Sequence, residues 1–124
     1  MKQLLIVFLG GGFGTVIRYV FSKYIFIHKT NLPWATLTVN LLGCLFIGFF
    51  MGYFIKTQAL KSDAALFFTV GFCGGLTTFS SFANENFNFI NNGQLIPFFL
   101  YTLLSLSLGL SFLFLGFWLV RYTT

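Results

Sequence analysis

Charge is what this sequence has least of. Only 7% of its residues are Asp, Glu, Lys or Arg, and the acids are two, Asp63 and Glu85. A soluble domain carries roughly 25% charged residues, so a water-facing surface cannot be covered. Cysteine is nearly as scarce. Cys44 and Cys73 each stand inside an apolar run, without a CxxC spacing or a neighbouring His. That excludes a disulfide framework and offers no metal-ligand pattern; both read as small buried apolar residues. Basic clusters are missing as well. Lys2, Arg18, Lys23, Lys29, Lys56, Lys61 and Arg121 bring the net charge to +5 but stand singly, mostly near the ends of apolar runs. No nucleic-acid footprint is present; such cations flank membrane helices and snorkel to the interface.

What fills the chain is apolar. Hydrophobic residues make up 57% and aromatic residues 22%, and mean hydropathy is +0.90. A spanning helix needs about 20 mostly apolar residues. Four such spans are expected, at about 3–26, 34–55, 64–90 and 95–120, within a single four-helix membrane domain over residues 1–124. The first apolar run extends from Leu4 to Ile27, past a signal-peptide core of about 7–15 residues, and reads as a retained span. His28-Lys29-Thr30-Asn31 forms a polar connection, after which Pro33 can start a helix. Lys56 to Asp63 forms the next loop, with Asp63 expected to cap the third helix. Asn91-Asn92-Gly93 is a turn signal. The fold class is an all-α membrane protein, with no soluble domain expected.

Cations near span ends set topology. Lys2, Lys56, Lys61 and Arg121 fall on one side, and Lys23 and Lys29, with His28 nearby, on the other. Arg18 lies too deep in the first span to count. So weak a bias predicts insertion in both orientations; a tag at Thr124 that reports from one side only would contradict this.

Gly10-xxx-Gly14, Gly48-xxx-Gly52 and Gly71-xxx-Gly75 are small-xxx-small pairs, which let helix backbones approach closely. Intrachain packing accounts for some; a homo-oligomer is the economical account of the rest. Gly10-x-Gly12 does not fit a dinucleotide fingerprint, since Thr15 stands where the third glycine belongs.

The third segment holds the most information. It runs Gly71-Phe72-Cys73-Gly74-Gly75-Leu76-Thr77-Thr78-Phe79-Ser80-Ser81-Phe82. Glycine weakens a helix by about 1 kcal/mol relative to Ala, and hydroxyls can satisfy freed backbone groups. A helix break is therefore expected at about Gly74 to Thr78. The alternative is an intact helix with a Gly-rich packing face. Non-helical backbone at membrane depth is tolerated only inside protein or beside water, where its carbonyls can meet a cation and its amides an anion.

Beyond the break, Thr77, Ser81, Asn84 and Asn88 share one helical face, beside Phe79 and Phe82. A polar stripe in lipid is expected to face protein or water. Glu85 is either a functional ionisable group or an interface residue. Asn40, in the second span, is either interhelical glue or a donor. In the fourth span Tyr101, Ser105 and Gly109 share a face, and Ser107 and Ser111 form a second pair. Three spans thus contribute neutral donors and none a carboxylate-rich surface. That inventory suits a small anion better than a cation, because hydroxyls and amides can replace part of an anion's water shell. Phenylalanine edges carry partial positive charge and can line such a path.

These residues resemble the fluoride channels of the Fluc (CrcB-type) family, small four-span microbial membrane proteins, over essentially the whole chain. Three stretches carry the likeness. Gly11-Gly12-x-Gly14-Thr15-x-x-Arg18-Tyr19 resembles the family's first helix, and Pro33-Trp34-Ala35-Thr36-Leu37-x-Val39-Asn40-x-x-Gly43 its second-helix signature. The stretch from Gly71 to Phe82 is the most specific. Ala35 stands where the family usually has Gly, Thr15 where it often has Ala, and Ser81 where Thr is common. All are small, and Ser81 keeps its hydroxyl.

The resemblance implies an antiparallel, dual-topology homodimer with two pores. It implies a structural sodium ion at the dimer centre, held by the backbone carbonyls of Gly74 and Thr77. It implies that Phe79 and Phe82 contribute to fluoride sites, with Asn40 donating nearby. Ser80, Ser81, Tyr101 and Ser105 would form a polar track, and Arg18 would lie near a pore mouth. The function it implies is passive, selective export of fluoride across the cell membrane, protecting against fluoride toxicity, with no enzymatic step. Two rivals stand beside it. One is a small proton-coupled multidrug exporter, for which the first span lacks the expected deep acid and Glu85 is the only substitute. The other is a non-transporting assembly protein, in which the polar stripe is helix glue.

Overall fold

A computed structural model describes residues 1–24 and 32–123. Among the described residues the chain is all helical, with no strand, and four segments are long and apolar enough to cross a membrane. The first helix is Lys2–Tyr24 and the second Trp34–Lys56, each of 23 residues. At 1.5 Å per residue each spans about 34 Å, against a hydrocarbon core of about 30 Å. The third span is Asp63–Asn91, and the last helix is Leu95–Thr123. The expected end of the first span at Phe26, and the connection holding His28 and Lys29, lie outside the described residues.

The helix ends follow local chemistry. Pro33 sits at the N-cap of the second helix, one residue before the first helical position. Ser62, not Asp63, caps the third span: its hydroxyl accepts from the Ala65 amide at 3.1 Å. Asp63 stands one residue later, in the first turn, where a negative charge suits the helix dipole, and it pairs with Lys2 at the start of the first helix. The turn at Asn91-Asn92-Gly93 is present. Gly93 takes φ +70, a left-handed conformation open to glycine, and the Gln94 amide reaches back to the Phe89 carbonyl at 2.8 Å. This is a Schellman-type ending.

The third span is not one helix. After Asp63–Ala65 comes a π-helical stretch, Leu66–Cys73, then one α turn, Gly74–Leu76. The Thr69 hydroxyl donates to the Ala65 carbonyl at 2.7 Å, taking an acceptor that a backbone amide would otherwise use. Thr77 and Thr78 are extended, and a second half-helix runs Phe79–Asn91. The break is thus narrower than the expected Gly74 to Thr78. The two glycines stay helical, and the chain leaves the helix only after Leu76.

Packing pairs the first helix with the first half of the third span, and the second helix with the last. Glycines set both approaches. A Cβ on Gly10 would meet the Phe67 carbonyl oxygen at 2.6 Å and Gly71 Cα at 3.0 Å. Gly48 abuts the Leu113 backbone in the same way. All three glycine pairs seen in the sequence are therefore occupied within one chain. Intrachain packing accounts for all three pairs.

Candidate functional site

The break is held open by a side chain from another helix. The Thr78 amide donates to Asn40 Oδ1 at 2.8 Å, and Asn40 Nδ2 donates to the Thr78 carbonyl at 3.3 Å. An amide side chain carries the donor and acceptor of a peptide group, so Asn40 stands in for the helical partners that Thr78 gives up. Thr77 closes the first half-helix: its hydroxyl and its amide both reach the Cys73 carbonyl, at 2.9 and 3.0 Å. Thr78 opens the second, its hydroxyl accepting from the Ser81 amide at 3.2 Å. The same oxygen lies 3.1 Å from Ser81 Oγ and 3.3 Å from Ser80 Oγ. Arg18 reaches this place too, with Nη1 at 3.5 Å from the Thr77 carbonyl.

Beside the break lies a cavity of about 390 Å³, lined by Asn40, Gly43 and Cys44 from the second helix, Gly74, Thr77, Thr78, Phe79 and Phe82 from the third span, and Ser105 from the last. Its wall is largely apolar, with polar groups at the break, at Thr69 and at Ser105. Ser105 Oγ is buried beside Tyr101 and makes no hydrogen bond of good geometry among the described residues. From this cavity an aromatic row leads inward. Phe79 and Phe82 have centroids 5.8 Å apart, Phe82 and Tyr101 5.3 Å, and Tyr101 and Phe89 6.0 Å. Phe79 is 79% exposed in the single chain, whereas Tyr101 is fully buried.

At the inner end of the row sits Glu85. Thr36 Oγ1 donates to its Oε1 at 2.5 Å and the Tyr101 hydroxyl to its Oε2 at 2.6 Å. Two helices thus supply one hydroxyl to each carboxyl oxygen. Glu85 is half-buried between these helices, level with the first turn of the second helix. Next to it, Thr102 Oγ1 donates to Asn86 Oδ1 at 3.1 Å.

The structure brings together Asn40, Ser80, Ser81, Phe79, Phe82, Gly74 and Thr77 at the break, with Tyr101 and Ser105 further along. Asn84 and Asn88 stay exposed, so that part of the polar stripe is uncovered in one chain. Ser107 and Ser111 donate back to the Leu103 and Ser107 carbonyls of their own helix, at 2.6 and 2.8 Å. Sequence reasoning gave Thr36 no role, although it lies four residues before Asn40 on the same helical face. It also gave none to Thr78, the hub of the break. A hydroxyl at i−4 from a buried Asn was the available signal for the first. The second needed knowledge of Asn40's position.

Residues 5–117 match the family of CrcB-like protein, Camphor Resistance (CrcB). The fluoride-specific ion channel FluC of Phocaeicola vulgatus is 43% identical over 121 residues, covering 96% of this chain and 98% of that one. The FluC of Flavobacterium psychrophilum is 44% identical over 114 residues, covering 89% and 90%. That of Aquifex aeolicus is 39% identical over 118 residues, covering 94% and 95%. With four membrane-spanning helices and a match over nearly its whole length, this multi-pass protein of the bacterial cell membrane belongs to the CrcB family.

Proposed function

We propose that this chain is a fluoride-selective channel that lets fluoride leave the cell passively. The observation that carries the reading is the row Phe79–Phe82–Tyr101, which starts at a cavity whose polar groups are neutral donors. The relatives' name, fluoride-specific ion channel, points the same way.

The chemistry follows from the residues. Fluoride is small and strongly hydrated, so a path must replace its water with fixed donors. Asn40 has a second Nδ2 hydrogen beyond the one given to Thr78, Ser105 Oγ makes no hydrogen bond of good geometry among the described residues, and the Phe79 and Phe82 edges carry partial positive charge. Arg18, beside the break, favours anions over cations. The membrane potential drives the anion outward at about 2.3 kcal/mol per charge per 100 mV. A narrow path with fixed donors disfavours larger anions.

The functional unit in this reading is an antiparallel homodimer with two pores. Exposed Phe79, Asn84 and Asn88 support it, since a ring and two amides left uncovered in one chain are suited to a partner. A structural sodium ion fits in part. The Thr78 amide is spent on Asn40, which frees the Gly74 carbonyl from its helical donor, and a Cβ at Gly74 would meet nothing within 4 Å. The Thr77 carbonyl faces Arg18 at 3.5 Å, so that side chain has to give way for Thr77 to join the set. One chain offers two such carbonyls, and a second copy would complete the shell. The ion would supply a fixed charge at the dimer centre and take no part in permeation.

Phe79→Ile and Phe82→Ile test the reading. Each should cut fluoride efflux from proteoliposomes while the protein still assembles; unchanged efflux in both removes the phenylalanines from the path. A proton-coupled drug exporter would use Glu85, the one carboxyl inside the bundle, and would move drugs in the same vesicles.

A further inference from the structure

At one end of the molecule two cations from different helices meet over an apolar groove. Lys56 ends the second helix and Arg121 lies in the last turn of the last helix. Both line a groove of about 380 Å³ whose other walls are Gly52, Ile55, Phe117 and Val120. At Gly52 the two helices approach closely. A Cβ there would lie 3.3 Å from the Phe117 carbonyl oxygen and 3.4 Å from Val120 Cβ. A second groove, of about 460 Å³, runs along the other flank of the last helix and is lined by Phe114, Leu115, Phe117, Trp118 and Arg121. The two grooves share Phe117 as a ridge and Arg121 at its head.

Lys2 and Asp63 pair at the same end. Trp118 and Tyr122, with ring centroids 4.5 Å apart, mark the headgroup level on this flank. An apolar ridge with a channel on each side and a guanidinium above it matches a diacyl glycerophospholipid, one chain in each groove and the phosphate on the cations. Arg binds phosphate through a planar fork, and basic pockets between membrane helices take anionic headgroups.

We propose that this double groove is a binding site for an anionic diacyl phospholipid, held by Arg121 and Lys56 and straddling Phe117. The site is separate from the break and independent of which ion the protein carries. It ties the second helix to the last one, the pair that flanks the cavity.

Trp118 in the second groove is a built-in reporter. The chain has two tryptophans, and Trp34→Phe leaves Trp118 alone. The protein is placed in phosphatidylcholine vesicles containing low fractions of either dibrominated phosphatidylglycerol or dibrominated phosphatidylcholine, whose chains quench nearby indole. The expected preference for the anionic lipid at Trp118 is about fivefold or more, the worth of at least one headgroup cation. Arg121→Gln with Lys56→Gln should bring the ratio to about one. Lys61→Gln, a cation in the neighbouring loop outside both grooves, should leave it within about twofold. Equal quenching by the two lipids overturns the proposal. So does a preference that survives the double substitution, or one that Lys61→Gln abolishes as fully. If Trp34→Phe does not fold, native mass spectrometry of the full chain released from mixed vesicles reads the same ratio, with the same results counting for and against.

Discussion

Asn40 and Thr78 exchange two hydrogen bonds across 38 residues of sequence, Thr78 N–H to Oδ1 and Nδ2–H to the Thr78 carbonyl. That exchange ends one half-helix and lets the next begin. Asn40→Ala leaves the Thr78 amide, in a residue 7% exposed, without its partner. An orphaned buried donor costs about 1–3 kcal/mol. The variant should unfold at lower temperature in detergent and release fluoride more slowly from vesicles. Asn40→Asp keeps the acceptor for Thr78 N–H and should recover part of the stability but not the flux, since the donor is lost. A melting temperature equal to the parent's for Asn40→Ala would show that the clamp is not needed.

The first helix makes a sharper steric prediction. Gly10→Ala would force a Cβ to within 2.6 Å of the Phe67 carbonyl oxygen, and overpacking of this kind costs about 1–3 kcal/mol. Gly12→Ala, two residues on, meets nothing within 4 Å and gains helix propensity of about 1 kcal/mol. Thermal unfolding of the two variants should therefore move in opposite directions, or at least separate clearly. Equal behaviour would mean that the first helix does not pack on the third span as described.

Glu85 links three helices through Thr36 and Tyr101. Tyr101→Phe removes the donor to Oε2 and should destabilise by about 1–3 kcal/mol, as expected for a buried acceptor left short of a partner. In the background of Glu85→Gln the same substitution should cost less, because a neutral amide accepts more weakly. The double-mutant cycle measures the difference. A coupling energy near zero would mean that carboxylate and hydroxyl do not depend on each other.

These relationships mark where sequence reasoning stopped. The four spans were legible because length and apolarity suffice to identify a membrane helix. The break was legible in outline from Gly74-Gly75 and the four hydroxyl residues that follow Leu76. Its position was not, because Asn40 decides it by taking the Thr78 amide, and a partner 38 residues away leaves no trace in local propensity. The glycine pairs were visible by spacing, yet spacing does not say what fills them. Gly10 and Gly14 turned out to meet the backbone of the same chain. The cap moved by one residue, from Asp63 to Ser62, because either side chain can cap and only the backbone turn selects between them. Glu85 could not be assigned a place until Thr36 and Tyr101 were brought to it from two other helices.

Ion selectivity tests the central claim most directly. The purified protein is reconstituted into liposomes loaded with equal fluoride and chloride, a potassium ionophore is added to set the potential, and ion-selective electrodes follow both anions. The account predicts rapid fluoride release with chloride retained until detergent is added. Equal release of the two anions, or no release of fluoride from vesicles that contain folded protein, would contradict it.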